Sequence, residues 1–240
     1  MHNIIKLDSI QITYAGKVFG NMDFNHGSKK EVKSNHQKLM QILKSNCVVD
    51  IRSKGGNTFV DVDTKSLKQH FNFIACDGLI TSNKEVALTL FPADCIPLVI
   101  YSPNSETRAL LHVGRRGAET NLIEDAINYI VKNKHIDIKK LFFYFGPSVS
   151  KDSYYFETID VDQLKSASWY GFIENKKGYY HIDLVGFVTN RLKRLGVKKK
   201  QIKYSGINVG DTESEYFSHV RSKRSGEPEG RNLFAVESLK

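Results

Sequence analysis

The sequence predicts an α+β or irregular α/β fold in a single domain covering residues 1–240. Three observations lead there. Strand-like segments recur along the whole chain, three segments carry helical periodicity, and the two kinds are mixed without strict alternation. We find no internal repeat, low-complexity tract or linker. The 240 residues are 40% hydrophobic and 25% charged, enough apolar material for a sizeable core and ordinary for a globular protein.

The strand candidates are 59–63, 86–91, 96–102, 109–113 and 141–145, with 202–207 and 232–237 as further ones. They are rich in β-branched and aromatic residues and bounded by Gly, Pro, Asn or Asp. Between two of them stands "SPNSET", a run of turn formers, so 96–113 is expected to be a β-hairpin. Helices are expected over 30–43, 121–134 and 182–196. The second is the best: Leu122, Ile123, Ala126, Ile127, Ile130 and Val131 recur at helical spacing. Asn121 with Glu124 resembles a capping pair at its start. In the third, Asp183 is the expected cap and Gly196 the expected stop.

Composition excludes several classes. No apolar run is long enough to span a bilayer, so no membrane partner is expected. The N-terminus shows no charged leader ahead of a long apolar stretch, so no secretory leader is expected. Cys47, Cys76 and Cys95 are an odd, sparse set, which predicts reduced thiols and a cytoplasmic protein. The net charge of +9 favours anionic ligands. Its one dense run, Lys193 to Lys203, fits a solvated helix end entering a strand, and no nucleic-acid motif accompanies it.

Chemistry concentrates in "PADCIPLVIYSPNSETRALLHVGRRG", Pro92 to Gly117. Cys95 and His112 flank the expected hairpin and could face each other across it. Thiolate and imidazole are both zinc ligands. They also suit nucleophilic Cys–His catalysis, and equally a pair of buried core residues. "GRRGAETN" runs from the strand end toward the best helix, so Arg115 and Arg116 would stand near that helix's N-terminus and favour a phosphate or carboxylate.

"ADCIP" followed by "HVGRRG" resembles the paired signature of the polyphenol oxidase or laccase-domain family, now described as purine nucleoside phosphorylases with adenosine deaminase activity. Members commonly read A-D-C-x-P, then H-x-G-W-R-G. "CDGLIT", "FFYFGPSVSKDSYYFE" and "YFSHVRSKRSGEPEGRNLFAV" resemble further family segments, so the likeness covers most of the chain. It implies a single α+β domain with a central mixed β-sheet flanked by helices. It also implies zinc held by one Cys and two His. Cys95 and His112 match two of these ligands, and Gly55 stands where the remaining histidine is expected. Arg115 replaces the motif's tryptophan, and Asn208 stands near the place of a common cysteine. Loss of a ligand weakens zinc binding by several kcal/mol, on the order of a third of a structural site's total. His26, His36 and His70 precede the motif and are candidate replacements.

The resemblance implies that phosphate cleaves the N-glycosidic bond of adenosine, inosine or guanosine to base and ribose 1-phosphate, with adenosine deamination as a further activity. The partners would be a purine nucleoside and phosphate, acting on a monomer. Arg116 is the expected phosphate contact and Arg221 a second substrate contact. Asp94 is the expected catalytic acid–base, or else a structural acid at a strand bend. Competing readings are a catalytically impaired relative that binds a nucleoside or phosphate, copper-dependent phenol oxidation, and nucleic-acid binding. A blue-copper site wants two His with a Cys, and the sequence shows no such cluster.

Overall fold

A computed structural model describes residues 2–67, 69–160, 162 and 166–239. The α+β expectation holds, and the strands divide between two large sheets. The first contains Asn3–Leu7 (β1), Ile10–Ala15 (β2), Cys47–Ile51 (β3), Phe71–Ile74 (β5), Val86–Leu90 (β7) and Leu233–Ser238 (β15), ordered β1-β2-β15-β7-β3-β5. The second contains Phe59–Asp61 (β4), Gly78–Thr81 (β6), Ile96–Tyr101 (β8), Arg108–Val113 (β9), Phe142–Phe145 (β10) and Ile202–Tyr204 (β14), ordered β14-β10-β8-β9-β6-β4. Tyr155–Phe156 (β11), Ile173–Lys176 (β12) and Tyr179–Ile182 (β13) form a small third sheet. Both large sheets mix parallel and antiparallel pairs.

The pleat explains the layering, since successive side chains point to opposite faces. In the first sheet Ile10, Ile12, Val49, Leu88 and Val236 face inward. In the second, Leu79, Val99, Tyr101 and Leu110 face the same interior. The outer face of the first sheet packs Ala15, Val48, Ala87 and Ala235 against Leu39 and Leu43, residues of or next to helix α1 (Lys29–Ile42). The outer face of the second packs Leu98, Ile100, Ala109, Leu111 and Phe143 against helices Leu122–Asn133 (α3) and Leu184–Arg194 (α4). Strands that are apolar on both faces look like continuous hydrophobic runs, as "VALTL" and "IPLVIY" do. Two shorter helices complete the set, Arg115–Glu119 (α2) and His219–Ser225 (α5).

Local chemistry places the ends. The Ser28 hydroxyl accepts the Glu31 N–H at the start of α1. Asp183 accepts the Gly186 N–H at 2.7 Å and caps α4, and Gly196, at φ +89°, follows its end. The basic run Lys193 to Lys203 spans the last turn of α4, a short turn of 3-10 helix and the start of β14, as expected. One expectation fails. The Asn121 side chain makes no capping bond, and Glu124 is held by the Arg191 guanidinium at 2.7–2.8 Å. Two guanidinium nitrogens of a neighbouring helix converge on Oε1 of Glu124, and this charge-assisted pair outcompetes the single backbone contact of a capping box. Among the described residues no helix is long and apolar enough to cross a membrane.

Candidate active site

The expected hairpin is present. β8 and β9 are antiparallel, with Ile96 opposite Val113 and Pro97 opposite His112. Continuing that register puts Cys95 opposite Gly114. His112 shares the parity of Leu110, and Cys95 that of Val99, so both project from the inner face, at the rim between the two sheets. They are diagonal neighbours and line one cleft of about 250 Å³, with Ser53, Gly55, Asp77, Gly114, Arg115, Arg116, Gly117 and Tyr154. The thiol needs Gly114: a Cβ there would stand 2.7 Å from Sγ.

The stretch before Cys95 is fixed from below. The Asp94 carbonyl accepts the Val149 N–H at 2.9 Å. Its carboxylate accepts the Ser218 hydroxyl at 2.6 Å and the Val220 N–H at 2.9 Å, which ties it to the first turn of α5. Both oxygens are spent there, and Asp94 does not line the cleft. The structural alternative therefore describes Asp94 better than the acid–base role expected for it.

The wall opposite is the loop holding Gly55. Asp77 Oδ1 accepts the Ser53 hydroxyl at 2.8 Å, the Lys54 N–H at 3.0 Å and the Gly55 N–H at 2.9 Å. Its Oδ2 accepts the Thr58 hydroxyl at 3.2 Å. The Asp77 carbonyl takes the His112 N–H at 2.8 Å, so one residue joins the loop to β9. Gly55 adopts φ +70°, and a Cβ there would meet nothing within 4 Å.

Arg115 and Arg116 form the third wall, from a different element than expected. They begin α2, and a separate turn divides them from α3. Arg116 is exposed. The Arg115 guanidinium lies 5.6 Å from the centre of the Phe156 ring. Tyr154, on the segment leading to β11, closes the cleft beside it.

Electrostatics set the protonation states. Burial pushes the Cys95 thiol up to about 12, with the Asp94 charge adding to the effect. Burial pulls His112 down to about 4, against the pull of Asp77. Both are neutral at pH 7. Burial also raises the Tyr154 phenol to about 12, partly offset by Arg115. Burial alone would raise Asp77, but the bonds from Ser53 and the loop N–H groups outweigh it and hold the carboxyl below its usual range. The cleft thus combines two arginines, one bonded carboxylate, a neutral imidazole and a thiol.

That donor set does not fit a three-ligand zinc centre. Cys95 and His112 supply two donors, and Gly55 supplies none. His36 lies elsewhere, bonded to the Met22 carbonyl at 2.8 Å and stacked on Phe71. His26 faces Asp23 and Glu229. His70 is exposed, with Nδ1 at 3.1 Å from the Asn46 carbonyl oxygen. None of the three lines the cleft. Among the described residues no group of three His, Cys, Asp or Glu side chains is arranged to hold a metal. Asn208 serves the loops instead, accepting the Ser150 and Gly210 N–H groups and donating to Ser153.

Arg221 also departs from expectation. It is 5% exposed, donates to the carbonyls of Val209, Asp211 and Tyr216, and pairs with Glu227. Four of its five N–H donors are engaged within the fold, which favours a structural role over the substrate contact expected for it. Sequence reasoning missed Ser53, Asp77 and Tyr154 as cleft residues. Asp77 and Tyr154 lie inside the segments that carry the resemblance, "CDGLIT" and "SYYFE", but nothing in their type marks them as site residues.

Two stacked mixed sheets with a Cys–His–Arg cleft at their rim define a class, and comparison with known proteins identifies it. The chain belongs to the multi-copper polyphenol oxidoreductase laccase family, whose model matches residues 17–237. It is 33% identical over 153 residues to a purine nucleoside phosphorylase of Campylobacter jejuni, a match covering 62% of this chain and 63% of that one. A purine nucleoside phosphorylase of Rickettsia conorii is 25% identical over 222 residues, covering 90% and 88%. The fold matches hypothetical protein YfiH of Bacillus licheniformis with a TM-score of 0.80 at 19% identity over 99% of each chain. YlmD of Geobacillus stearothermophilus matches with a TM-score of 0.80 at 22% identity, covering 96% of this chain and 92% of that one.

Proposed function

We propose that the chain is a phosphorolytic enzyme acting on purine nucleosides. Inorganic phosphate displaces the base of adenosine, inosine or guanosine, giving free base and ribose 1-phosphate. The C1′–N9 bond breaks, a C1′–O bond to phosphate forms, and the base leaves with a proton. The observation that carries this reading is the cleft wall formed by Arg115 and Arg116, which among the described residues pair with no protein carboxylate, facing His112 and Asp77. Arg116 holds the phosphate as a charge-assisted pair. Neutral His112 gives the purine a hydrogen-bonding partner that does not repel the developing positive charge on ribose. Ionised Asp77 beside it favours that charge. The names of the Campylobacter and Rickettsia relatives support the reading.

Adenosine deamination, also implied by the family resemblance, calls for an activated water. Of the metal-donor side chains lining the cleft, Cys95 and His112 are uncommitted while Asp77 is engaged by its loop, so the cleft supports phosphorolysis better. The same shortfall favours a second reading: a relative that binds nucleoside or phosphate without turnover. An assay of the purified protein on adenosine and inosine, with and without phosphate and alongside metal analysis, separates them. Phosphate-dependent release of base supports the enzyme. Saturable binding without release of base supports the binding protein.

A further inference from the structure

Arg115 and Arg116 are consecutive residues of one helix. Their side chains therefore leave the axis about 100° apart and reach different parts of the cleft they both line. Among the described residues neither guanidinium makes a hydrogen bond or ion pair to a protein group. The carboxylate that lines the cleft, Asp77, is engaged by its own loop, with three bonds to Oδ1 and one to Oδ2. Arg116 is exposed, while Arg115 is half-buried, with its guanidinium over the Phe156 ring beside Tyr154. A ring face within about 6 Å attracts a guanidinium and leaves its N–H donors free. Arg115 is thus a positioned, unpaired cation. One attacking phosphate, assigned to Arg116, leaves it without a counter-charge.

We infer that Arg115 binds a second anion, the phosphate monoester of the substrate itself, so that the cleft takes nucleoside 5′-monophosphates in preference to nucleosides. The inference rests on the phosphorolytic reading for its chemistry but not for its binding. With inosine 5′-monophosphate, the C1′–N9 bond breaks and a C1′–O bond forms to the incoming phosphate. Hypoxanthine leaves with a proton from solvent, and ribose 1,5-bisphosphate remains with its 5′ ester intact.

The test is titration calorimetry of the native protein, Arg115→Met and Arg115→Lys against adenosine and adenosine 5′-monophosphate. Each titration is run with and without saturating inorganic phosphate, and thermal melts confirm that the variants fold. Adenosine 5′-monophosphate is expected to bind the native protein about tenfold or more tightly than adenosine, the scale of one charge-assisted contact. The advantage should persist in saturating phosphate, fall to about one in Arg115→Met and return in part in Arg115→Lys. No advantage in the native protein, an advantage abolished by inorganic phosphate, or one retained in Arg115→Met would overturn the inference. An intact advantage with no turnover of either ligand upholds it and removes the phosphorolytic reading instead.

Discussion

Asp77 Oδ1 accepts the backbone N–H of Gly55 at 2.9 Å. This bond holds the loop in the cleft wall, with Gly55 at φ +70° and open space where a side chain would begin. A ligand position is therefore framed but carries no ligand. Gly55→His places an imidazole there at a cost of roughly 1–2 kcal/mol for a left-handed non-glycine residue. The variant is expected to melt lower than the native protein and to bind zinc with higher occupancy. Metal analysis and zinc titration of both proteins check this. Tight stoichiometric zinc in the native protein would contradict it.

Asp77 itself holds the loop to β9, so Asp77→Ala should lose about 2 kcal/mol, the scale of hydrogen bonds to a charged group. The pH dependence has a definite sign. The folded-state carboxyl lies below its ordinary value of 3.8, so its stabilisation is complete above that value and is lost as pH falls through the lower folded one. Denaturant titrations between pH 2 and pH 6 should show the native and Asp77→Ala proteins converging at the acid end. Parallel curves would count against the role.

His112 behaves oppositely from the usual paired histidine. Its folded value is about 4 against an ordinary 6.5, so the unfolded chain takes up a proton that the folded protein refuses. Stability should therefore fall as pH drops from 6.5 toward 4, with a slope of about one proton, and then level off for this group. His112→Gln removes that component. An NMR titration in which the His112 ring protonates near 6.5 would show that the imidazole is not desolvated.

Arg221→Met leaves the carbonyls of Val209, Asp211 and Tyr216 without their shared donor. A loss of roughly 2–4 kcal/mol is expected, because a buried hydrogen-bonded charge is removed. The phosphate dependence of the folded protein should stay the same. A raised phosphate requirement at unchanged stability would restore Arg221 as a substrate contact.

Much of this was readable before the structure. The hairpin carrying Cys95 and His112 followed from two β-branched runs around "SPNSET", and α4 from Asp183 and Gly196, because strand pattern and capping are local signals. The division into two sheets was not readable. A strand buried on both faces looks the same whether it belongs to one central sheet or to either of two stacked ones. The N-terminal pair β1 and β2 escaped because "NIIKL" is short and lies at an edge. Within the cleft, the motif residues were visible in the sequence, but their obligations were not. Asp94 and Arg221 looked chemical, yet they spend their polar atoms on α5 and on loop carbonyls 124 and 12 or fewer residues away. Asp77 drew no role from its sequence context, yet it shapes the cleft. Such bonds have no periodicity for sequence reasoning to detect.

The central claim is that this cleft cleaves nucleosides with phosphate through its arginines and without a three-ligand metal centre. Phosphorus NMR for ribose 1-phosphate, together with proton NMR for hypoxanthine, of chelator-treated protein incubated with inosine and inorganic phosphate tests it most directly. The account predicts ribose 1-phosphate and hypoxanthine in equal amounts, formation of both abolished when phosphate is omitted, and a raised phosphate requirement in Arg116→Ala. Hypoxanthine released equally well without phosphate, or turnover only after zinc is restored, would contradict it.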